Sequence, residues 1–201
     1  MLFVHKGVVV MDPDHVLRFW VDEVGPKGWY DTSETLDAEV RNLFEPAWQR
    51  LKLGAFSLWL TYPTGALAYI ILADQFPRNM FRGTGLAFAT DKIAVSAAKS
   101  SIKQCWDMRI DEPARQFFYL PLMHSENLCD QDRCVRLMSE RMKKTGASNL
   151  LHAQAHREII RAFGRFPYRN EALQRRFTHP EQEFIDQGGY GATLTELAQA
   201  S

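Results

Sequence analysis

The stretch Thr64-Gly-Ala-Leu-Ala-Tyr-Ile-Ile-Leu-Ala73, if helical, is apolar around its whole circumference. A helix with no polar face has to be buried on all sides. Its longest unbroken apolar run, Ala66 to Ala73, falls far below the roughly 20 residues that span a bilayer. The expected solution is a central helix with other helices packed around it.

The rest of the chain supplies those helices. Asp12-Pro13 pairs an N-cap acid with proline at the first helical position. Val16, Leu17, Phe19 and Trp20 then form an apolar face up to about Glu23, and Gly25-Pro26 and Gly28 break it. After a cap at Thr32 or Ser33, Leu36, Val40, Leu43, Phe44, Ala47, Trp48 and Leu51 recur at steps of three and four until Gly54. Pro46 is a point for a kink in this helix, and Pro77 is expected to end the central one. Further helices are predicted from about Thr90 to Lys103, Asp111 to Leu120, Asp130 to Lys144, Asn149 to Phe163 and Thr178 to Asp186, with Gly164 as a C-terminal cap. No segment alternates apolar and polar residues for long. The fold class is therefore all-α, with about eight helices around a buried central one. The expected organisation is an N-terminal extension over residues 1–11, a single domain over 12–187 and a flexible tail over 188–201.

Charge bounds the partners. The formal net charge is +0, which gives no bulk attraction to nucleic acid or anionic lipid. The distribution is uneven: residues 1–76 carry 10 acidic and 6 basic side chains, and the remainder 14 and 18. Sixteen of the basic residues are arginines, and six of these lie between Arg157 and Arg176 with only two glutamates. Such a cluster needs anions, supplied either by protein carboxylates or by a ligand. The three cysteines, Cys105, Cys129 and Cys134, form neither a disulfide framework nor a zinc spacing, and suit a reducing cytoplasm.

Three polar stretches sit at helix ends. Asp74-Gln-Phe-Pro-Arg-Asn79 is echoed by Gly164-Arg-Phe-Pro-Tyr-Arg-Asn170. Each puts Phe-Pro after an apolar helix, followed by Arg and Asn. Phe117-Phe-Tyr-Leu-Pro-Leu-Met-His-Ser-Glu126 runs an aromatic anchor into His124, Ser125 and Glu126. His124 and Glu126 suit proton transfer, or capping of the helix that follows. His152 and His156 share one helix face, but Ala153 stands where a zinc protease needs Glu. No nucleophile elbow, phosphate loop or di-iron spacing is present in the sequence.

These motifs, together with Leu17-Arg-Phe-Trp20 and Phe88-Ala-Thr-Asp91, resemble the bacterial family called domain of unknown function 924 over about residues 13–186. The resemblance implies a tetratricopeptide-like superhelical fold and no established activity. Tyr168 departs from the histidine expected there by family habit.

From this follows the expectation that the three stretches converge on one site for an acidic ligand or peptide. Arg78, Asn79, Arg82, Tyr119, Arg165, Arg169 and Asn170 would bind it, with Trp59 as a further apolar wall. The alternative is an enzyme for a phosphate- or carboxylate-bearing substrate, such as a hydrolase or transferase. His124 or His156 would then move the proton, oriented by Glu126 or Asp74. No cofactor is expected, and the one metal set worth naming is His124, Glu126 and His156. A homodimer is compatible with the rich aromatic content.

Overall fold

The structure, a computed structural model, describes residues 11–200. The extension expected over 1–11 lies outside them but for Met11, which is buried in the core. All regular elements among the described residues are helical, and no strand forms.

Asp12 caps α1 (Pro13–Leu17) by accepting from the His15 amide at 2.7 Å. The backbone leaves helical geometry at Gly25, where φ is 64° and ψ −178°, and the helical run ends at Gly28, at the two breaks the glycines predict. A π turn over Arg18–Val24 therefore ends at Gly25, which tolerates the positive φ, and the short α2 (Gly25–Gly28) starts anew from it. Ser33 caps α3 (Glu34–Lys52), which runs through Pro46.

The central rod is α4 (Pro63–Ile70), a π turn over Ile71–Gln75, and α5 (Phe76–Met80). Every residue from Gly65 to Pro77 is buried. Pro77 does not end the rod, contrary to expectation. The Ala73 carbonyl lies four residues before it and would accept the N–H that proline lacks. It accepts instead from the Thr90 hydroxyl at 2.6 Å, and that hydroxyl in turn accepts from the Trp48 indole N–H at 3.0 Å. The broken backbone ladder is thus closed from two neighbouring elements.

Around the rod pack α1, α3 and α6 (Asp91–Lys103). Their shared core is aromatic: Phe44 lies 4.4 Å from Phe76 between ring centroids, and Trp20 lies 5.3 Å from the same ring. Where a short helix from Asp111 to about Leu120 is expected, a 3-10 turn over Ala114–Phe118 forms instead, and Pro121 opens rather than ends the short α7 (Leu120–Met123). The second half is a hairpin of α8 (Leu128–Arg141), capped by Asn127, and α9 (Ala147–Phe163), closed by Gly164 at φ 68°. Thr178 and Glu181 form a capping box on α10 (His179–Asp186).

The segment after Gly188, expected to be loose, is the helix α11 (Gly189–Ala200), and it packs on α9. Its Gly and Ala content is low in apolar bulk. One aromatic side chain, Tyr190, makes ring contacts to His152 and His156 of α9 and to Tyr168 of the second Phe-Pro corner.

Candidate functional site

The π turn carries Asp74 into the interior with no exposed surface. Opposite it, His124 follows α7. The Gln131 amide donates to the Met123 and Ser125 carbonyls at 2.6 and 2.7 Å and holds the backbone on both sides of the imidazole. His124 Nδ1 lies 2.9 and 3.0 Å from the two Asp74 oxygens. Burial disfavours the Asp74 charge, but Arg78 and His124 prevail and hold the carboxyl below its ordinary range. An ionised carboxylate only accepts, so the proton of the neutral ring is on Nδ1 and Nε2 carries the lone pair. Burial, and then the Arg78 charge, lower the His124 pKa, which keeps the ring neutral near pH 7.

Behind this pair the charges are matched. Arg78 donates to the Asp74 carbonyl at 2.7 Å and in two-pronged fashion to Asp91 at 3.0 and 3.1 Å. Arg169 reaches the same Asp91 at 3.4 Å, with its guanidinium between the faces of Phe88 and Phe166, 4.6 and 4.5 Å from their centroids. His156 belongs to the same cluster. Its ring is 6.4 Å from that of His124, and its Nδ1 donates to the His152 carbonyl at 2.8 Å. Burial drives the His156 pKa down to about 3.

His124 and His156 open onto a pocket of about 430 Å3. Leu120 and Met123 line it from α7, Ser148, Asn149 and His152 from α9, and Tyr30 and Tyr190 complete the lining. The Tyr190 hydroxyl is hydrogen-bonded to His152 Nδ1, and the two rings lie 14° from parallel. A depression of about 470 Å3 between α4 and α6 has Lys92 as its one ionisable group besides Tyr69, and brings no acid–base pair together.

Of the residues expected to converge, the structure brings Asp74, Arg78, His124, His156 and Arg169 together in one cluster, of which only the two histidines line the pocket, and it places the others elsewhere. Glu126 is not a partner of His124. It accepts from the Phe166 amide at 2.9 Å and from Arg175 at 2.8 and 3.0 Å, pinning the second Phe-Pro corner. It is therefore spent as a metal ligand with the two histidines, and no group of three or more ligating side chains gathers among the described residues. Arg82 and Asn79 both bind Asp37, Arg165 binds Glu181 in two-pronged fashion, and Tyr119 donates to the buried Asp107 at 2.6 Å. Asn170 is fully buried beside the second corner, and the Trp59 ring lies 4.5 Å from that of Phe56 at a tilt of 31°. None of these six lines the pocket. All four arginines proposed as anion ligands are thus already neutralised by protein carboxylates. Sequence reasoning missed Tyr30, Asn149, His152 and Tyr190. The spacing of His152 and His156 was the available signal for one of them.

The family model of bacterial proteins of unknown function, DUF924, matches residues 16–189. The chain belongs to this family. A solved structure of a protein of unknown function from Agrobacterium tumefaciens is similar to it at 35% identity, with a TM-score of 0.81, covering 87% of this chain and 97% of that one. No curated protein matches the chain. The DUF924 match takes in Asp74, Arg78, His124, His156 and Arg169, and stops one residue before Tyr190. Among the described residues no helix is long and apolar enough to cross a membrane.

Proposed function

We propose that the pocket is the active site of a small-molecule enzyme in which His124 is the general base. The observation that carries this reading is the contact of His124 Nδ1 with the buried Asp74 carboxylate at 2.9 and 3.0 Å. A carboxylate on one ring nitrogen fixes the tautomer and stabilises the imidazolium that forms when the other nitrogen takes a proton. The neutral resting state suits a base, and Gln131 keeps the ring in place without a rearrangement. A positioned base of this kind contributes on the order of 10²–10⁴ in rate.

A peptide clamp of the type a tetratricopeptide-like superhelix presents would require an open groove with free arginines. Arg82 and Arg165 are bound to Asp37 and Glu181, so this reading is the weaker one.

The test is a turnover screen on small esters, lactones, amides and enolisable ketones with the wild type and His124→Gln. At least one substrate should lose on the order of 100-fold in kcat in the variant, with KM little changed. A substrate turned over equally by both proteins, or no turnover at all across the panel, would defeat the assignment.

A further inference from the structure

We infer that the pocket takes an uncharged, flat aromatic molecule bearing an O–H or N–H donor, and discriminates against anions. The inference rests on the pocket being the site proposed above. Its first support is the lining, which has no Lys, Arg, Asp or Glu. The nearest cations, Arg78 and Arg169, are held behind the histidines by Asp91 and, for Arg78, Asp74. An anion entering the pocket would surrender its hydration and meet no free charge in return.

The second support is hydrogen-bond polarity. His156 Nδ1 donates to a carbonyl and His124 Nδ1 to a carboxylate, so each neutral ring has only an Nε2 lone pair left to offer. Two neighbouring acceptors call for a donor on the ligand. A carboxylate or phosphate brings only acceptors and would set its oxygens against both lone pairs. Of the other neutral polar groups, Asn149 donates to Gln116 Oε1 at 2.7 Å, the Tyr30 hydroxyl donates to the same oxygen, Tyr190 is engaged with His152, and the Ser148 hydroxyl can donate to or accept from a neutral ligand.

The third support is the density of rings. Five of the lining residues are aromatic: Tyr30, His124, His152, His156 and Tyr190. The His156 and Tyr190 centroids are 4.9 Å apart at 64°, while Tyr190 lies nearly parallel to His152. Such an arrangement offers both ring faces and ring edges to a planar guest. A volume of about 430 Å3 accommodates one or two fused rings with substituents.

Isothermal titration at pH 7 with naphthol, methoxynaphthalene, naphthoate and naphthyl phosphate tests this directly. Naphthol should bind, and the other three at least about tenfold more weakly, because each lacks the donor or carries a charge. Tyr190→Ala should weaken naphthol by about tenfold, while Tyr190→Phe, which keeps the ring, should stay within about threefold. Naphthoate or naphthyl phosphate binding as tightly as naphthol would overturn the inference, and so would binding of none of the four at millimolar concentration. Turnover is a separate readout. A panel without His124-dependent turnover defeats the general-base reading and leaves a naphthol preference standing. A preference for the anions defeats the ligand class even where His124-dependent turnover is found.

Discussion

The Asp74 carboxylate lies within 3.0 Å of His124 Nδ1, a partner fifty positions further along the chain. The same carboxylate is 3.3 Å from Arg78. Removing its charge strands part of a buried ion network, a change that costs about 3 kcal/mol or more. Asp74→Asn should therefore lower unfolding stability by about that amount in urea melts. It should also lower the His124 pKa further, since the anion that favours imidazolium is gone, and NMR titration of the ring reads this out.

Thr90 serves two partners at once, the Ala73 carbonyl and the Trp48 indole. Thr90→Val keeps the shape and leaves both groups buried without a partner, for a loss of about 2–4 kcal/mol. Thr90→Ser keeps the hydroxyl and should cost about 1 kcal/mol or less. Equal losses in the two variants would show that the missing methyl, rather than the hydrogen bonds, sets the stability of this joint.

Stability should decline on mild acidification. The His156 pKa falls from 6.5 to about 3 on folding, chiefly by burial, with His124, His152 and Arg169 adding like-charge repulsion. The unfolded chain therefore takes up a proton below about pH 6.5 that the native ring refuses until about pH 3. At pH 5 this penalty reaches about 2 kcal/mol. Tm should drop between pH 7 and pH 5, and the slope should flatten in His156→Asn. Phe166, Tyr168 and Tyr190, the rings around His156, carry no charge in that range.

Arg165 ties the second Phe-Pro corner to Glu181 in the capping box of α10. Arg165→Ala should speed amide hydrogen exchange across residues 179–186 and leave exchange around His124 unchanged. Loss of protection at the pocket instead would mean that the two regions open together.

Much of this fold is legible from local chemistry. The Thr178 capping box and the Gly164 cap stand where their residues predict, because caps act within a turn of the chain. The buried run after Thr64 is likewise central, since it has no polar face to expose. Arginine partners are another matter. Arg82 meets Asp37 and Arg169 meets Asp91 across 45 and 78 residues, and no local rule distinguishes such a carboxylate from that of a ligand. Tyr190 was hidden for a related reason. A Gly- and Ala-rich segment has little intrinsic drive to order, and its helix is held by docking on α9.

The π turn over Ile71–Gln75 holds one residue more than an α-turn would. One residue of α-helix corresponds to about 100° of rotation about the axis. The central rod is thus two helices out of phase, α4 keeping time with its apolar neighbours and α5 with Asp37 and Asp91. Deleting any one of Ile71, Leu72 or Ala73 would bring the halves into step and turn Asp74 by about 100° relative to α4. The chain would lose a single aliphatic side chain, and with it the aim of its buried acid.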